Sequence, residues 1–245
     1  FKGLVNGVLR NYLRQREALL AAAEGDEEAR WQHPRWWLAR LRRTYPDCWE
    51  AIAAVGNTQP PMTLRVNRRR LPREGYALRL VEAELTARPV GESGLLLQRP
   101  VGVEALPGFA EGWVSVQDAG AQRAAEILDP PEGARVLDAC AAPGGKTAHL
   151  LERRALDLLA LDIDPLRTRR IEENLTRLGL TASVRAADCA HPAKWWDGRP
   201  FDAILADVPC SASGVVRRHP DAKWLRRESD IRGFVHAQAK ILDAL

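Results

Sequence analysis

The sequence predicts an α/β chain whose second half is an open parallel sheet flanked by helices, and three observations predict it. Residues 135–150 read as a short buried strand, then a small-residue turn through Pro143, Gly144 and Gly145, then a helix opening at Lys146. Three further apolar runs, 156–161, 183–187 and 201–206, lead into Asp162, Asp188 and Asp207. Between them, 165–179 is an amphipathic helix with proline near its start and glycine at its end. Strand, helix and strand in alternation make a parallel sheet, and ligands bind at the carboxyl ends of its strands. A glycine turn at a helix N-terminus adds backbone N–H groups that suit a nucleotide. Some of these aspartates cap the helices that follow.

Taken in order, residues 1–57 read as helices. Phe1, Leu4, Val5, Val8, Leu9 and Leu13 share one helical face, and Trp36, Trp37, Leu38 and Leu41 suggest another. Phe1 already lies within a periodic helix, without a starting methionine, so the natural N-terminus is expected to be missing. Most of the tryptophans there are expected in a core. A Pro-Pro pair within 57–62 marks a linker. Residues 63–115 alternate short apolar runs with turns, as a small α/β subdomain does. Arg65, Arg68, Arg69, Arg70 and Arg73 form the densest basic cluster of the chain, a solvated turn or a phosphate-contacting patch. Asp118 is placed to cap the helix that leads into the first parallel strand. Asp230 could cap a last helix carrying Ile231, Phe234, Val235, Ile241, Leu242 and Leu245 at helical spacing.

Composition narrows the function. No apolar run approaches the length of a membrane span and no signal peptide is visible, so no membrane partner and a cytoplasmic location are expected. The cysteines Cys48, Cys140, Cys189 and Cys210 are scattered, which argues against both a disulfide framework and a metal site. The net charge of +4 is carried by the front: residues 1–115 hold 17 basic and 13 acidic side chains, and 116–245 hold 19 of each. Arginine outnumbers lysine 31 to 5, which favours bidentate phosphate contacts, although genomic base composition explains it equally well. Asp162 follows Asp138 by 24 residues, a spacing suited to a ribose contact. The turn lacks the Gly-x-Gly-x-x-Gly spacing of a dinucleotide site, which disfavours an NAD-linked enzyme.

Two long motifs carry a resemblance. Asp-Ala-Cys-Ala-Ala-Pro-Gly-Gly-Lys-Thr at 138–147, together with Asp-Val-Pro-Cys-Ser-Ala-Ser-Gly-Val-Val-Arg-Arg-His-Pro-Asp at 207–221, resembles the Sun-type RNA 5-methylcytosine methyltransferases. Within them the likeness is greatest to the bacterial enzymes of small-subunit ribosomal RNA. The runs 33–37, 61–67 and 117–122 sit well in the same pattern. The resemblance implies a three-layer Rossmann-like methyltransferase domain over 116–245, incomplete at its C-terminal end. Before it come a small α/β RNA-contacting subdomain over 58–115 and part of a helical NusB-like RNA-binding domain over 1–57. It also implies S-adenosylmethionine as methyl donor and cytosine C5 of 16S ribosomal RNA, free or partly assembled, as acceptor. A monomer is expected.

By the same resemblance, Cys140, Ala141, Ala142, Pro143, Gly144, Gly145 and Lys146 line the donor, with Asp162 on its ribose and Asp188 near its adenine. Asp207 would also border the donor and would hold the cytosine amino and N3 edge. Arg65, Arg68, Arg69, Arg70, Arg217, Arg218 and His219 would contact RNA. The chemistry implied is attack of a cysteine thiolate on C6, which activates C5 toward the donor methyl. In the DNA enzymes the Pro-Cys cysteine attacks, which would make it Cys210. In the RNA family a later Thr-Cys-Ser cysteine attacks, and the Pro-Cys residue helps to release product. No Thr-Cys-Ser occurs in residues 1–245, so Cys210 takes the release role and the nucleophile is expected to be absent from this chain. A non-catalytic RNA-binding module that keeps a donor pocket, or a methyltransferase of another RNA, are the alternatives.

Overall fold

The computed structural model describes residues 1–245. The chain divides into two compact units: Phe1–Pro60 with Cys210–Phe234, and Pro61–Pro209 with Val235–Leu245. The three-part division expected from the sequence differs from this in two respects. Residues 210–234 group with the front helices, and both sheets belong to one unit, with a strand of the first running through residue 115.

The first unit begins with α1 (Lys2–Arg14), α2 (Arg16–Gly25), α3 (Glu27–Trp31), α4 (Arg35–Thr44) and α5 (Trp49–Gly56). The apolar face of α1 forms as expected but meets nothing: Leu4 is 67% and Leu13 69% exposed. Burial starts further on. Asp26 caps α3 by accepting from the Ala29 N–H at 3.0 Å, and His33, Trp37 and Leu38 are buried. Trp31 and Trp49 meet edge-on with centroids 5.1 Å apart. Of the tryptophans of this region only Trp37 is fully buried; Trp31, Trp36 and Trp49 stand at its margin.

The second unit holds two sheets. The first contains β1 (Thr63–Val66), β2 (Ala87–Val90), β3 (Gly94–Leu97) and β4 (Val114–Val116), with α6 (Arg73–Glu82) between β1 and β2. Its order is β2-β3-β1-β4, antiparallel throughout. Since β1 is central, all four of its residues are buried, and Leu64, Val66, Tyr76, Leu80, Leu95 and Val114 form the core around it.

The second sheet follows α7 (Ala119–Leu128), which Asp118 caps as expected through the Gly120 N–H at 3.2 Å. Its strands are β5 (Arg135–Ala139), β6 (Asp157–Asp162), β7 (Ser183–Ala186) and β8 (Ala203–Ala206), with α8 (Gly145–Arg153) after β5 and α9 (Pro165–Leu178) after β6. All pairings are parallel, in the order β7-β6-β5-β8. Strand periodicity sorts the side chains into layers. Val136, Leu158 and Ala160 face Ala148, Leu150, Ile171 and Leu175 on one side. Leu137, Ala139 and Leu161 face Trp195 and Ile241 on the other. The chain returns through α10 (Ala222–Leu225) and ends in α11 (Asp230–Ala244), which supplies Ile241. This is the three-layer Rossmann-like arrangement expected. Val235 and Leu242 keep helical spacing on α11 yet are 60% and 76% exposed.

In the first unit, the 210–234 segment is fastened to the front helices. Buried Lys223 donates to Asn57 Oδ1 at 2.5 Å, and Arg40 Nε lies 3.5 Å from a Glu228 carboxylate oxygen. Gly56 allows the close approach of His33 and Val216, since a Cβ there would stand 3.3 Å from His33 Nε2. No helix is long and apolar enough to cross a membrane.

Candidate functional site

Strand order reverses at β5, which has β6 on one side and β8 on the other, and a parallel sheet opens its ligand crevice at such a point. The turn from β5 into α8 occupies it. Cys140 takes φ +59° and Gly144 φ +92°, so the chain bends sharply before Gly145 starts the helix. Gly144 is required twice over: its backbone is left-handed, and a Cβ would stand 3.0 Å from Ile171 Cγ2. The turn is fastened from several sides. Its Ala141 N–H donates to Leu161 O at 2.7 Å and its Ala142 N–H to Asp162 Oδ2 at 3.1 Å. Arg167 donates to Ala142 O at 3.0 Å, and Asn174 to Pro143 O at 2.9 Å.

Asp138, on the face toward α8, is wholly buried and accepts from the Thr147 hydroxyl at 2.6 Å. Burial pushes its carboxyl up to about 7, an effect the Thr147 hydrogen bond partly offsets. Lys146 reaches across to β8, where its ammonium donates to Asp207 Oδ2 at 2.5 Å. Asp207 remains the more open partner, with its side chain 55% exposed. Asp188 is tied by the Ala190 N–H at 3.0 Å and His191 Nδ1 at 2.9 Å. Thus Cys140 to Lys146, Asp162, Asp188 and Asp207 all lie at the carboxyl ends of adjacent strands, which are about 4.7–4.9 Å apart. Asp162 differs from the others in being 1% exposed. Its oxygens already accept from Ala142 and Asp164 N–H groups, with Arg167 at 3.4 Å, so a ligand would meet only the lone pairs these leave.

Cysteine environments separate cleanly. Cys140 Sγ lies 3.7 Å from Cys189 Sγ, and the hydrogen bond between them, with burial, pushes the Cys140 thiol well up. Cys140 is therefore a poor thiolate. Cys210 is exposed, and its sulfur accepts from the Ala212 N–H at 3.4 Å.

Arg65 corrects the expected RNA patch. Its side chain is fully buried, with Nε and Nη2 each 2.8 Å from an oxygen of Glu152 on α8. Its Nη1 donates to Gly145 O at 2.6 Å and to Gln117 Oε1 at 2.7 Å. Four of its five N–H donors are thus taken, two of them in a bidentate pair with the carboxylate, and burial keeps the whole guanidinium from RNA. Central β1 turns this side chain inward, whereas Arg68, Arg69 and Arg70, on the turn beyond it, are exposed. Arg73 is held by Gly91 O at 2.9 Å and by Glu74. Of the second patch, Arg217 lies 3.4 Å from Thr58 O, and His219 is exposed. The sequence reading missed Arg167, Asn174, Gln117 and Glu152 as supports of the turn. The first two had a signal, since they lie seven residues apart on one face of α9. No group of three His, Cys, Asp or Glu side chains is placed to hold a metal ion.

Comparison with known proteins identifies the family. Residues 125–245 match the family described as 16S rRNA methyltransferase RsmB/F, and 33–104 match its ferredoxin-like domain. The chain is 49% identical over 247 residues to ribosomal RNA small subunit methyltransferase B of Vibrio cholerae, covering 100% of this chain and 57% of that protein. It is 50% identical over 248 residues to the Pseudomonas syringae protein of that name, covering 100% and 55%. The chain thus spans little more than half the length of these relatives. A methyltransferase homolog protein from Pyrococcus horikoshii superposes with a TM-score of 0.74 at 26% identity, covering 89% of this chain and 70% of that one. NSun6 from Pyrococcus horikoshii superposes at 0.75 with 19% identity, covering 86% and 79%, a likeness of fold. The chain belongs to the 16S rRNA methyltransferase RsmB/F family.

Proposed function

We propose that the chain is the donor-binding part of an S-adenosylmethionine-dependent methyltransferase acting on cytosine C5 of 16S ribosomal RNA. The observation that carries this reading is the braced turn 140–146, set at the strand reversal beside three carboxylates. Supporting it, the N–H groups at the start of α8 suit the donor's carboxylate; Asp188 is assigned to its adenine, and Asp162 to its ribose through the lone pairs its backbone bonds leave. When bound, the donor supplies an electrophilic methyl group carried on a sulfonium.

The protein groups divide the remaining work. Lys146 holds the Asp207 carboxylate in place by a charge-assisted hydrogen bond, and Asp207 in turn accepts from the cytosine amino group and orients the ring. The exposed arginines Arg68, Arg69 and Arg70, with Arg217, Arg218 and His219, supply contacts to phosphate. Cys140, half-buried in the donor turn with its sulfur 3.7 Å from that of Cys189, is not assigned the attack. Cys210 serves product release, and the attacking thiolate comes from a Thr-Cys-Ser motif, which residues 1–245 do not contain.

Calorimetry with S-adenosylmethionine and with NAD tests the donor site. The first is expected to bind and the second not, and the reverse would sink the reading. Transfer of labelled methyl to unmodified 16S RNA tests the cysteine assignment. It is expected from a chain extended through a Thr-Cys-Ser motif and not from residues 1–245. Transfer by residues 1–245 that is lost in Cys210→Ala would make Cys210 the nucleophile.

A further inference from the structure

We propose that a hollow in the first unit is a nucleobase pocket, taking a base of the RNA next to the cytosine that meets Cys210. This rests on the RNA reading above. Helix α4 supplies Trp36, Trp37, Arg40 and Thr44 to its wall, and the Pro-Cys segment supplies Ser211 and Ser213. The volume is about 210 Å³, below the roughly 300–1,000 Å³ of a small-molecule site and suited to a single ring system.

Its chemistry is that of base recognition in single-stranded RNA, where an unstacked base lies against an aromatic ring and its edge meets hydrogen-bonding groups. Trp36 and Trp37 stand 5.1 Å apart and tilted by 59°, an open wedge rather than a closed stack. Trp37 is buried while Trp36 stands at the margin, so the pair is a rigid wall with one accessible ring. The Ser211 and Ser213 hydroxyls, 3.3 Å apart, line the same hollow and offer donors and acceptors. Arg40, oriented by Glu228 at 3.5 Å, adds a cation, and no carboxylate lines the hollow. Ser211 directly follows Cys210 in the chain. A base on that hydroxyl is therefore a near neighbour of the nucleotide at Cys210. The pocket fixes the register of the RNA by gripping a base that is not itself modified.

The test uses the 245-residue chain and a short, labelled single-stranded RNA with one central cytosine, read by fluorescence anisotropy. Each nucleotide is replaced in turn by an abasic one. Removing one base beside the cytosine is expected to lower affinity about tenfold, in line with the loss of one base–aromatic stack. Thr44→Trp fills the hollow from the exposed end of α4 without removing a buried group. It is expected to weaken the intact RNA by a similar factor and to become indifferent to the abasic site. Trp36→Ala should behave alike. A flat abasic scan, an effect confined to the cytosine itself, or unchanged binding by Thr44→Trp would overturn the pocket. In each of those cases S-adenosylmethionine binding and salt-dependent RNA binding would remain, leaving the functional reading intact. Loss of both in the unaltered chain would overturn that reading together with the pocket.

Discussion

The turn after β5 and the segment that follows β8 both carry family motifs, yet they are built in opposite ways. In the first, Ala141, Ala142 and Gly144 are buried, and the carbonyls of Ala142, Pro143 and Gly145 each accept from a side chain of another element. In the second, Cys210 and Ser213 to Val215 are exposed, and the bonds at its start are local: Ala212 N–H to Cys210 Sγ, and Ser211 to Ser213. On the reading proposed above, the difference suits what each would meet. A small ligand of fixed shape is bound best by a site that needs no ordering on arrival, because ordering subtracts from affinity. A large, variable polymer such as RNA is met by an open surface with its polar groups still free to adjust.

The sharpest way to break this contrast is Arg65→Ala. It leaves Glu152 buried without its partner and removes the donor from Gly145 O, so stability should fall by about 3–5 kcal/mol in urea unfolding. Donor affinity should fall with it. A loss below about 1 kcal/mol would mean that the turn is not braced from β1.

Gly144→Ala comes next. At φ +92°, with Ile171 3.0 Å from the new Cβ, the strain should amount to about 1–3 kcal/mol and weaken donor binding in a chain that still folds. Donor affinity equal to the unaltered chain's would show that the left-handed bend is incidental.

A third test uses pH. His149 on α8 is buried with neither ring nitrogen hydrogen-bonded, and burial, then Arg65 and Arg153, lower it to about 3. A depressed histidine contributes stability that is complete above the unfolded value near 6.5 and lost as pH falls toward 3, because the unfolded chain takes up the proton first. His149 by itself lowers stability by up to about 1.4 kcal/mol per pH unit below that point, and the Asp138 carboxyl, raised to about 7, acts in the opposite sense. His149→Leu should remove the falling contribution between pH 6.5 and pH 5, so that the variant loses less stability on acidification than the unaltered chain, or gains some. The same slope in the variant would assign the loss to other groups.

The smallest effect belongs to the open segment. Cys210→Ala should change stability by less than about 0.5 kcal/mol and leave S-adenosylmethionine affinity unchanged, since the side chain is exposed and makes one sulfur contact. A large loss would place Cys210 among the structural groups and erase the contrast between the two segments.

Much of the parallel half was legible from local signals. Arg135–Ala139 coincides with the strand read from its apolar run, α9 runs from Pro165 to the left-handed cap at Gly179, and Asp118 caps α7. These features rest on propensities and caps that act within a few residues, so the sequence by itself determined them. The turn at 140–146 was legible for a similar reason, because its small residues are needed wherever the chain must bend that tightly. Arg65 and the apolar faces of α1 and α11 were not. In sequence Arg65 is one more member of a basic cluster, and only folding brings it to Glu152, 87 residues away, and turns it inward on a central strand. Helical spacing likewise put Leu4, Leu13, Val235 and Leu242 on ordered faces without stating what would cover them, and here they stay exposed. Periodicity sets which side chains share a face. Burial requires a second surface, and which surface arrives there is decided by contacts far apart in the chain.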